Sequence, residues 1–251
     1  MTGPIRPDWV FARIMYGLPL LETIRSLPPA SAAVFLRHAE RFPILDAAEP
    51  TLAEITPNGA AAAEAFGAQL TGFDCIRLFH SPVKRCLQTA ACIAQGAQSI
   101  GCSVELVGPE DALGVDYILD LREAGRLTVL HGNHFVRLWF SGQVSPTVIR
   151  AARQIAARKL AFLTQRLQEP CAQGRRLDLH VSHDWNIIVL RELLLSVRHE
   201  EAGWLTFLDG VAFSAHATGL QAVYRDHARV RPLPWSFESD GEAVPRDAGP
   251  A

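Results

Sequence analysis

Apolar residues fall along this chain in short unbroken runs separated by stretches with helical character. Ala32-Ala33-Val34-Phe35-Leu36 is such a run, the pattern of a strand buried on both faces of a parallel sheet. Phe73 to Phe79 and Leu177 to Val181 read as further strands, and Ser103 to Val107 as a short one. Val211 to His216 and Leu220 to Tyr224 read as a closing hairpin across Ala217-Thr218-Gly219. Between these runs, Thr56-Pro57-Asn58-Gly59 sets a cap residue beside a proline allowed in the first turn, ahead of alanine-rich Ala60 to Leu70. A second helix runs from Val83 to about Gln95, after the turn His80-Ser81-Pro82. Ser145-Pro146 opens a long helix, about Thr147 to Gln168, and Ser182-His183-Asp184 leads into another that ends near Leu195. Met1 to Ser31 reads as an irregular or short-helical lead-in, and the tail from Ser236 as frayed. Between Gly108 and Ser145 the period is lost, and glycines, acids, His131, His134 and aromatic residues predict a lid or inserted segment.

Strands alternating with helices predict a three-layer α/β/α sandwich with a mostly parallel central sheet. The expectation is one domain over residues 1–251, with 108–145 as its lid or insertion. In open sheets of this kind, ligands bind outside the carboxyl ends of the strands, where residues distant in sequence meet. Three strand ends deliver polar residues to that edge: Arg37-His38 with Arg41, Ser81 with Arg85, and Ser182-His183-Asp184.

Composition adds only exclusions. A hydrophobic share of 49% with 20% charged residues is ordinary for a folded domain. A net charge of -2 supplies no whole-molecule field to attract nucleic acid, so anion recognition must come from a local arginine cluster. Five cysteines lack metal-type spacing and read as small buried residues in a reducing compartment. Pro4, Pro7, Asp8, Arg13, Pro19 and Glu22 interrupt any signal-peptide core, and no run approaches the ~20 apolar residues of a membrane helix. A soluble, cytoplasmic protein is expected, without nucleic-acid or membrane partners; the oligomeric state is not encoded in any readable pattern.

The edge cluster suits one chemistry. Guanidinium cannot ligate a cation and repels it, which argues against a metal site. Its fork matches phosphate oxygens through charge-assisted, often bidentate hydrogen bonds. A neutral imidazole in that cradle can attack phosphorus, and the surrounding arginines push His38 toward the neutral form. His183 either donates a hydrogen bond while neutral or adds positive charge when protonated. Asp184 is placed to protonate the leaving oxygen. No cofactor is implied, since neither a dinucleotide fingerprint nor a P-loop is present.

Arg37-His38-Ala39-Glu40-Arg41-Phe42-Pro43 resembles the Arg-His-Gly-x-Arg-x-Pro signature of the histidine phosphatase superfamily, especially its acid phosphatase branch, with Ala39 in the glycine position. His80-Ser81-Pro82-Val83-Lys84-Arg85-Cys86-Leu87-Gln88-Thr89-Ala90 is similar to the second block of that superfamily, and Ser182-His183-Asp184 to the His-Asp block of the acid phosphatase branch. The resemblance implies a phosphoglycerate mutase-like fold with His38 as nucleophile. It further implies Arg37, Arg41, Arg85 and His183 as the phosphate pocket and Asp184 as acid. The branch that resembles phosphoglycerate mutase takes its acid from a glutamate after the second block, which makes Glu110 and Asp111 rival donors. The expected activity is hydrolysis of a small phosphomonoester. Phosphotransfer of the mutase kind and phospho-ligand binding without turnover are the alternatives.

Structural explanations exist for the same residues. His38 alone would be a satisfied core histidine, Arg85 a helix-face cation, and His183-Asp184 an N-terminal cap pair. His80 packs at the rim or on the sheet, His131 and His134 are loop residues without a third metal ligand, and Trp139-Phe140 is lid packing. Arg150, Arg153, Arg158 and Arg166 form a solvated helix face.

Overall fold

The structure, a computed structural model, describes residues 16–44, 50–171 and 174–233. The first fifteen residues of the expected lead-in and the expected frayed tail lie outside them. The strands are β1 (Ala32–Arg37), β2 (Cys75–His80), β3 (Ser103–Pro109), β4 (Arg176–Ser182), β5 (Gly210–His216), β6 (Gly219–Tyr224) and β7 (His227–Arg231). The helices are α1 (Leu18–Ser26), α2 (Pro57–Gly67), α3 (Lys84–Ser99), α4 (Leu121–His131), α5 (His134–Phe140), α6 (Ala152–Gln168), α7 (Asp184–Leu195) and α8 (His199–Ala202). All strands join one sheet in the order β3-β2-β4-β1-β5-β6-β7. β3, β2, β4 and β1 are parallel, and β5, β6 and β7 extend the sheet by antiparallel pairing. The result is a central mixed, mostly parallel sheet flanked by helices.

Alternation of side chains sorts the sheet onto two cores. Val34, Leu36, Ile76, Leu78, Leu177, Leu179 and Val181 pack with α1, α2 and α3. Ala33, Phe35, Phe79, Val211 and Phe213 pack with α6, α7 and the segment around Phe135 and Trp139. Thr56 caps α2 by accepting from Gly59 N at 2.9 Å. A small residue on each helix lets α2 and α3 approach closely: a Cβ on Gly67 of α2 would lie 2.1 Å from Ile93 O, and one on Gly96 of α3 would lie 1.9 Å from Glu64 O. Cys75, Cys86, Cys92, Cys102 and Cys171 are all free, and burial pushes the Cys86 thiol up to about 12.

Three local expectations are corrected. The 108–145 stretch is not without period: it holds a short 3-10 turn, Asp111–Leu113, then α4 and α5. Leu113, Tyr117, Phe135 and Trp139 from it are buried in the main core. His131 and His134 therefore end α4 and begin α5 and are not loop residues. The long helix opens at Ala152, not near Thr147. Val148 O instead accepts from Leu119 N (2.8 Å) and Asp120 N (3.1 Å), and Ile149 bridges to Ile118. β7 was not foreseen. Its sequence, His227-Ala228-Arg229-Val230-Arg231, is largely polar because it is an edge strand paired on one side. No helix among the described residues is long and apolar enough to cross a membrane.

Candidate functional site

The carboxyl ends of β2, β4 and β1, neighbours in the sheet, bring the three polar blocks together. His38 follows β1 and is held there by its N–H, which donates to Ser182 O at the end of β4 (3.0 Å). Ala39 N donates to Thr89 Oγ1 of α3 (3.0 Å), and Ala39 is fully buried. Ala39 does not have a left-handed backbone, so alanine in the glycine position creates no strain there. Glu40 ties the loop to the next cap by accepting from Thr56 Oγ1 (3.0 Å) and Asn58 Nδ2 (2.7 Å).

Arg85, in the first turn of α3, sits between two buried imidazoles. Its Nε donates to His38 Nε2 at 3.0 Å, its Nη2 lies 3.2 Å from His183 Nδ1, and its Nη1 donates to Pro50 O at 2.7 Å. Guanidinium can only donate, so both facing ring nitrogens carry lone pairs. The His38 proton is then on Nδ1, donated to Ala39 O (2.8 Å), and the His183 proton on Nε2, donated to Ser81 Oγ (2.9 Å). Burial, reinforced by the charge of Arg85, lowers the His38 pKa to about 3 and drives that of His183 well below its ordinary value. His38 is thus a neutral imidazole with its Nε2 lone pair turned to a cation. Burial also pushes Arg85 and Arg41 down, with neighbouring guanidinium groups adding to it.

Asp184, the first residue of α7, is 3.1 Å from Arg37 Nη2. It also accepts from Trp204 Nε1 (3.1 Å) and Trp185 N (3.0 Å). Burial raises its carboxyl, but Arg37, the Trp204 indole and the Trp185 N–H outweigh that and hold it below the usual range. Arg37 donates to Leu205 O and lies over the Phe207 ring at 4.4 Å. Ser182 Oγ and Asn186 Nδ2 both bond Leu113 O, fastening the β4–α7 turn to the 3-10 turn.

The remaining candidates lie elsewhere. Glu110 gives its N–H to His80 O but its carboxylate to Arg166, at 2.7 Å, and Asp111 is exposed. His80 is buried with Nδ1 on Ser81 O. Arg150, Arg153 and Arg158 are exposed, whereas Arg166 is half-buried against Glu110 and Glu169. Among the described residues, Glu192, His199 and Glu200 bring metal-type donors within 4.8 Å of one another. Arg137 already lies on both carboxylates, at 2.7 and 2.8 Å, supplying the positive charge a metal would bring. Sequence reasoning missed Trp204, Phe207, Asn186 and Lys159. Lys159 falls in the apolar stripe Ala152, Ile155, Ala156, Leu160, Leu163 of α6, and that position was the signal that it is buried. It is 3% exposed, donates to Ala112 O (2.8 Å), and burial lowers it to about 7.

The family model of the histidine phosphatase superfamily (branch 1) matches residues 33–107. Those residues contain the first two blocks; the His183-Asp184 block, on which the likeness to the acid phosphatase branch also rests, lies beyond them. A mycobacterial glucosyl-3-phosphoglycerate phosphatase with inorganic phosphate is similar in structure, with a TM-score of 0.53 at 17% identity, covering 78% of this chain and 97% of that one. Mycobacterial hydrolase 2 gives 0.55 at 18% identity, covering 83% and 94%. YhfR of Bacillus stearothermophilus gives 0.55 at 14% identity, covering 78% and 96%. No curated protein sequence matches the chain. The resemblance to the histidine phosphatase superfamily therefore holds in sequence over the first two blocks, and in fold over most of the chain.

Proposed function

We propose that this chain is a phosphomonoesterase working through a phosphohistidine on His38. The observation that carries the reading is the placement of Arg85 across His38 Nε2 and His183 Nδ1, beside the Arg37–Asp184 pair. A phosphate entering here takes over N–H groups of Arg85, and with Arg41, Arg37 and His183 it is held for in-line attack. His38 Nε2 forms the N–P bond as the ester P–O bond breaks, and Asp184 gives its proton to the departing oxygen. Water then attacks phosphorus, returns a proton to Asp184, and His38 leaves as a neutral imidazole.

Asp184 must be protonated before it can act as acid. A phosphate bound against Arg37 draws that charge away from the carboxylate and adds negative charge beside it, and both raise its pKa. The proton arrives with a monoanionic ester or from solvent. Glu110, engaged by Arg166, and exposed Asp111 are less well placed for this role. The segment 108–145, through its hold on Ser182 and Asn186, is proposed to shape the site from the β4 side.

The test is His38→Ala, which is expected to abolish turnover of p-nitrophenyl phosphate and labelling of the enzyme by a radioactive phosphoester. Substantial turnover in that variant would refute the assignment. Asp184→Asn is expected to slow alkyl phosphates far more than p-nitrophenyl phosphate, whose leaving oxygen hardly needs a proton; equal slowing of both removes Asp184 from the role of acid.

A further inference from the structure

The loop between α8 and β5 touches the first and the third of the motif blocks that build the site. Trp204 Nε1 donates to Asp184 Oδ2, Leu205 O accepts from Arg37, and the Phe207 ring lies under the Arg37 guanidinium. Phe207 is also 5.9 Å from the His38 ring, centroid to centroid, and Tyr16 meets its edge at 5.8 Å. The next residue, Leu208, is fully buried in a left-handed conformation, with φ 58. A branched residue adopts that backbone only where its surroundings enforce it. Here Leu208 N donates to Arg37 O (3.1 Å) and Arg37 N to Asp209 O (2.8 Å), which clamp the loop to the end of β1. The strain therefore fixes where Phe207 points.

Trp204 and Phe207 are both half-buried, so part of each residue reaches solvent. Trp204 bonds Asp184, the proposed acid, and Phe207 lies against Arg37, the partner of that carboxylate. Charges around them are nearly matched to a phosphate alone. Arg37 is paired with Asp184, leaving Arg41 and Arg85 without a carboxylate partner among the described residues, two cations for one dianion. Farther along the wall, the Tyr16 hydroxyl is raised by burial and by the nearby Glu40 carboxylate, which places negative charge next to the ring. Apart from Arg37, which lies over the Phe207 ring and is engaged by Asp184, the wall offers a second anionic group only aromatic faces and the Glu40 carboxylate.

We infer that Trp204 and Phe207 form the wall of a leaving-group subsite that takes phosphate esters of uncharged alcohols with an apolar or aromatic face, in preference to esters carrying a second anion. This rests on the phosphomonoesterase reading of the same site. Rings of this kind add affinity through contact area and stacking without needing a charged partner.

The test compares benzyl phosphate, glycerol 3-phosphate and 3-phosphoglycerate as substrates of the full chain. It also compares the binding of benzylphosphonate and methylphosphonate by calorimetry. The expected result is a kcat/KM for benzyl phosphate at least about tenfold above that for 3-phosphoglycerate. Benzylphosphonate should bind about tenfold more tightly than methylphosphonate. Phe207→Ala, with Phe207→Leu as the milder variant, should lower kcat/KM for benzyl phosphate about tenfold more than for glycerol 3-phosphate. Preference for 3-phosphoglycerate, equal binding of the two phosphonates, or equal losses on all esters would overturn the subsite. Turnover with a labelled His38 but no aromatic preference sinks the subsite alone. If neither phosphonate nor inorganic phosphate binds, the phosphate site itself falls, and the subsite with it.

Discussion

Arginines cluster at two places along the parallel strands, and the two clusters are built on opposite principles. Toward their amino ends, Arg77 forks onto Asp178 (Nε–Oδ1 2.8 Å, Nη2–Oδ2 2.7 Å) and reaches Glu169. Arg176 lies 3.0 Å from Asp178, and Arg166 holds Glu169 and Glu110. Three guanidinium groups thus meet three carboxylates, and the bonds to Asp178 raise the pKa of Arg77. At the carboxyl ends, Arg37, Arg41 and Arg85 share Asp184 alone among the described residues, and Arg41 and Arg85 are pushed down. A closed network of buried charges holds a fold together, whereas partly buried cations in excess of acids are costly until an anion joins them. The same residue type closes a network of ion pairs where β2, β4 and α6 carry it, and is proposed to await an anion where the end of β1, the loop after it and α3 carry it.

Substitutions that exchange these behaviours put the contrast at risk. The largest effect is expected from Asp178→Ala, which leaves Arg77 with Glu169 alone and takes the carboxylate from Arg176, and should cost about 3–5 kcal/mol of stability, while the folded fraction keeps its kcat. Arg85→Ala should do the reverse, lowering kcat about 10²- to 10³-fold with little change in the denaturation midpoint. If chemical denaturation finds equal destabilisation in both variants, the two clusters do not differ in kind. Next in size is anion linkage: inorganic phosphate or vanadate at a hundred times its Kd should stabilise the protein by about 2.7 kcal/mol. That gain should vanish in Arg85→Ala and persist in a variant of the other cluster, Glu169→Gln.

The smallest expected effect is a pH dependence from a third buried histidine. His180 is stacked between Phe35 and Phe79, at 5.0 and 5.1 Å, and burial lowers it to about 3. Its folded pKa lies below its unfolded value near 6.5, so the unfolded chain takes up the proton first. Stability is lost as pH falls from 6.5 toward 3 and is untouched above 6.5. His180→Phe keeps the stack and should reduce the loss by about 1.4 kcal/mol at pH 5.5. An unchanged slope of unfolding free energy against pH would remove His180 from the account. His38 shares the sign, so the acid limb of kcat/KM should not reflect its titration until near pH 3.

The site was legible where local signals and topology coincide. Apolar runs located β1, β2 and β4, and each is followed at once by charged or hydroxyl residues, so the meeting of His38, Arg85 and His183 followed from parallel pairing alone. Helix α4 was missed because only its Ala124 is buried while Leu121, Val129 and Leu130 are exposed, so its apolar residues mark no core-facing stripe, and α5 because seven residues are too few to show a period. One signal was present: Asp120 caps α4 by accepting from Glu123 N (2.9 Å), and an acid followed three residues later by glutamate resembles a capping box. Trp204 and Phe207 left no trace, since a half-buried aromatic residue in a loop has no period. The buried polar face of β4, with Arg176, Asp178, His180 and Ser182 at every second position, was overlooked in favour of the apolar residues between them.

At β1 the sheet changes from parallel to antiparallel pairing, and the reversal alters which connections reach the phosphate edge. A parallel neighbour contributes the chain that leaves it; β5, running the other way, contributes the chain that arrives. Gly210 starts β5 opposite Leu36, so the preceding Trp204-to-Asp209 stretch is delivered to the mouth from the opposite direction to the three motif blocks. That stretch supplies none of the proposed phosphate-handling groups. Exchanging it would alter what the mouth accepts and, through Trp204 on Asp184 and Leu205 O on Arg37, the setting of the proposed acid as well.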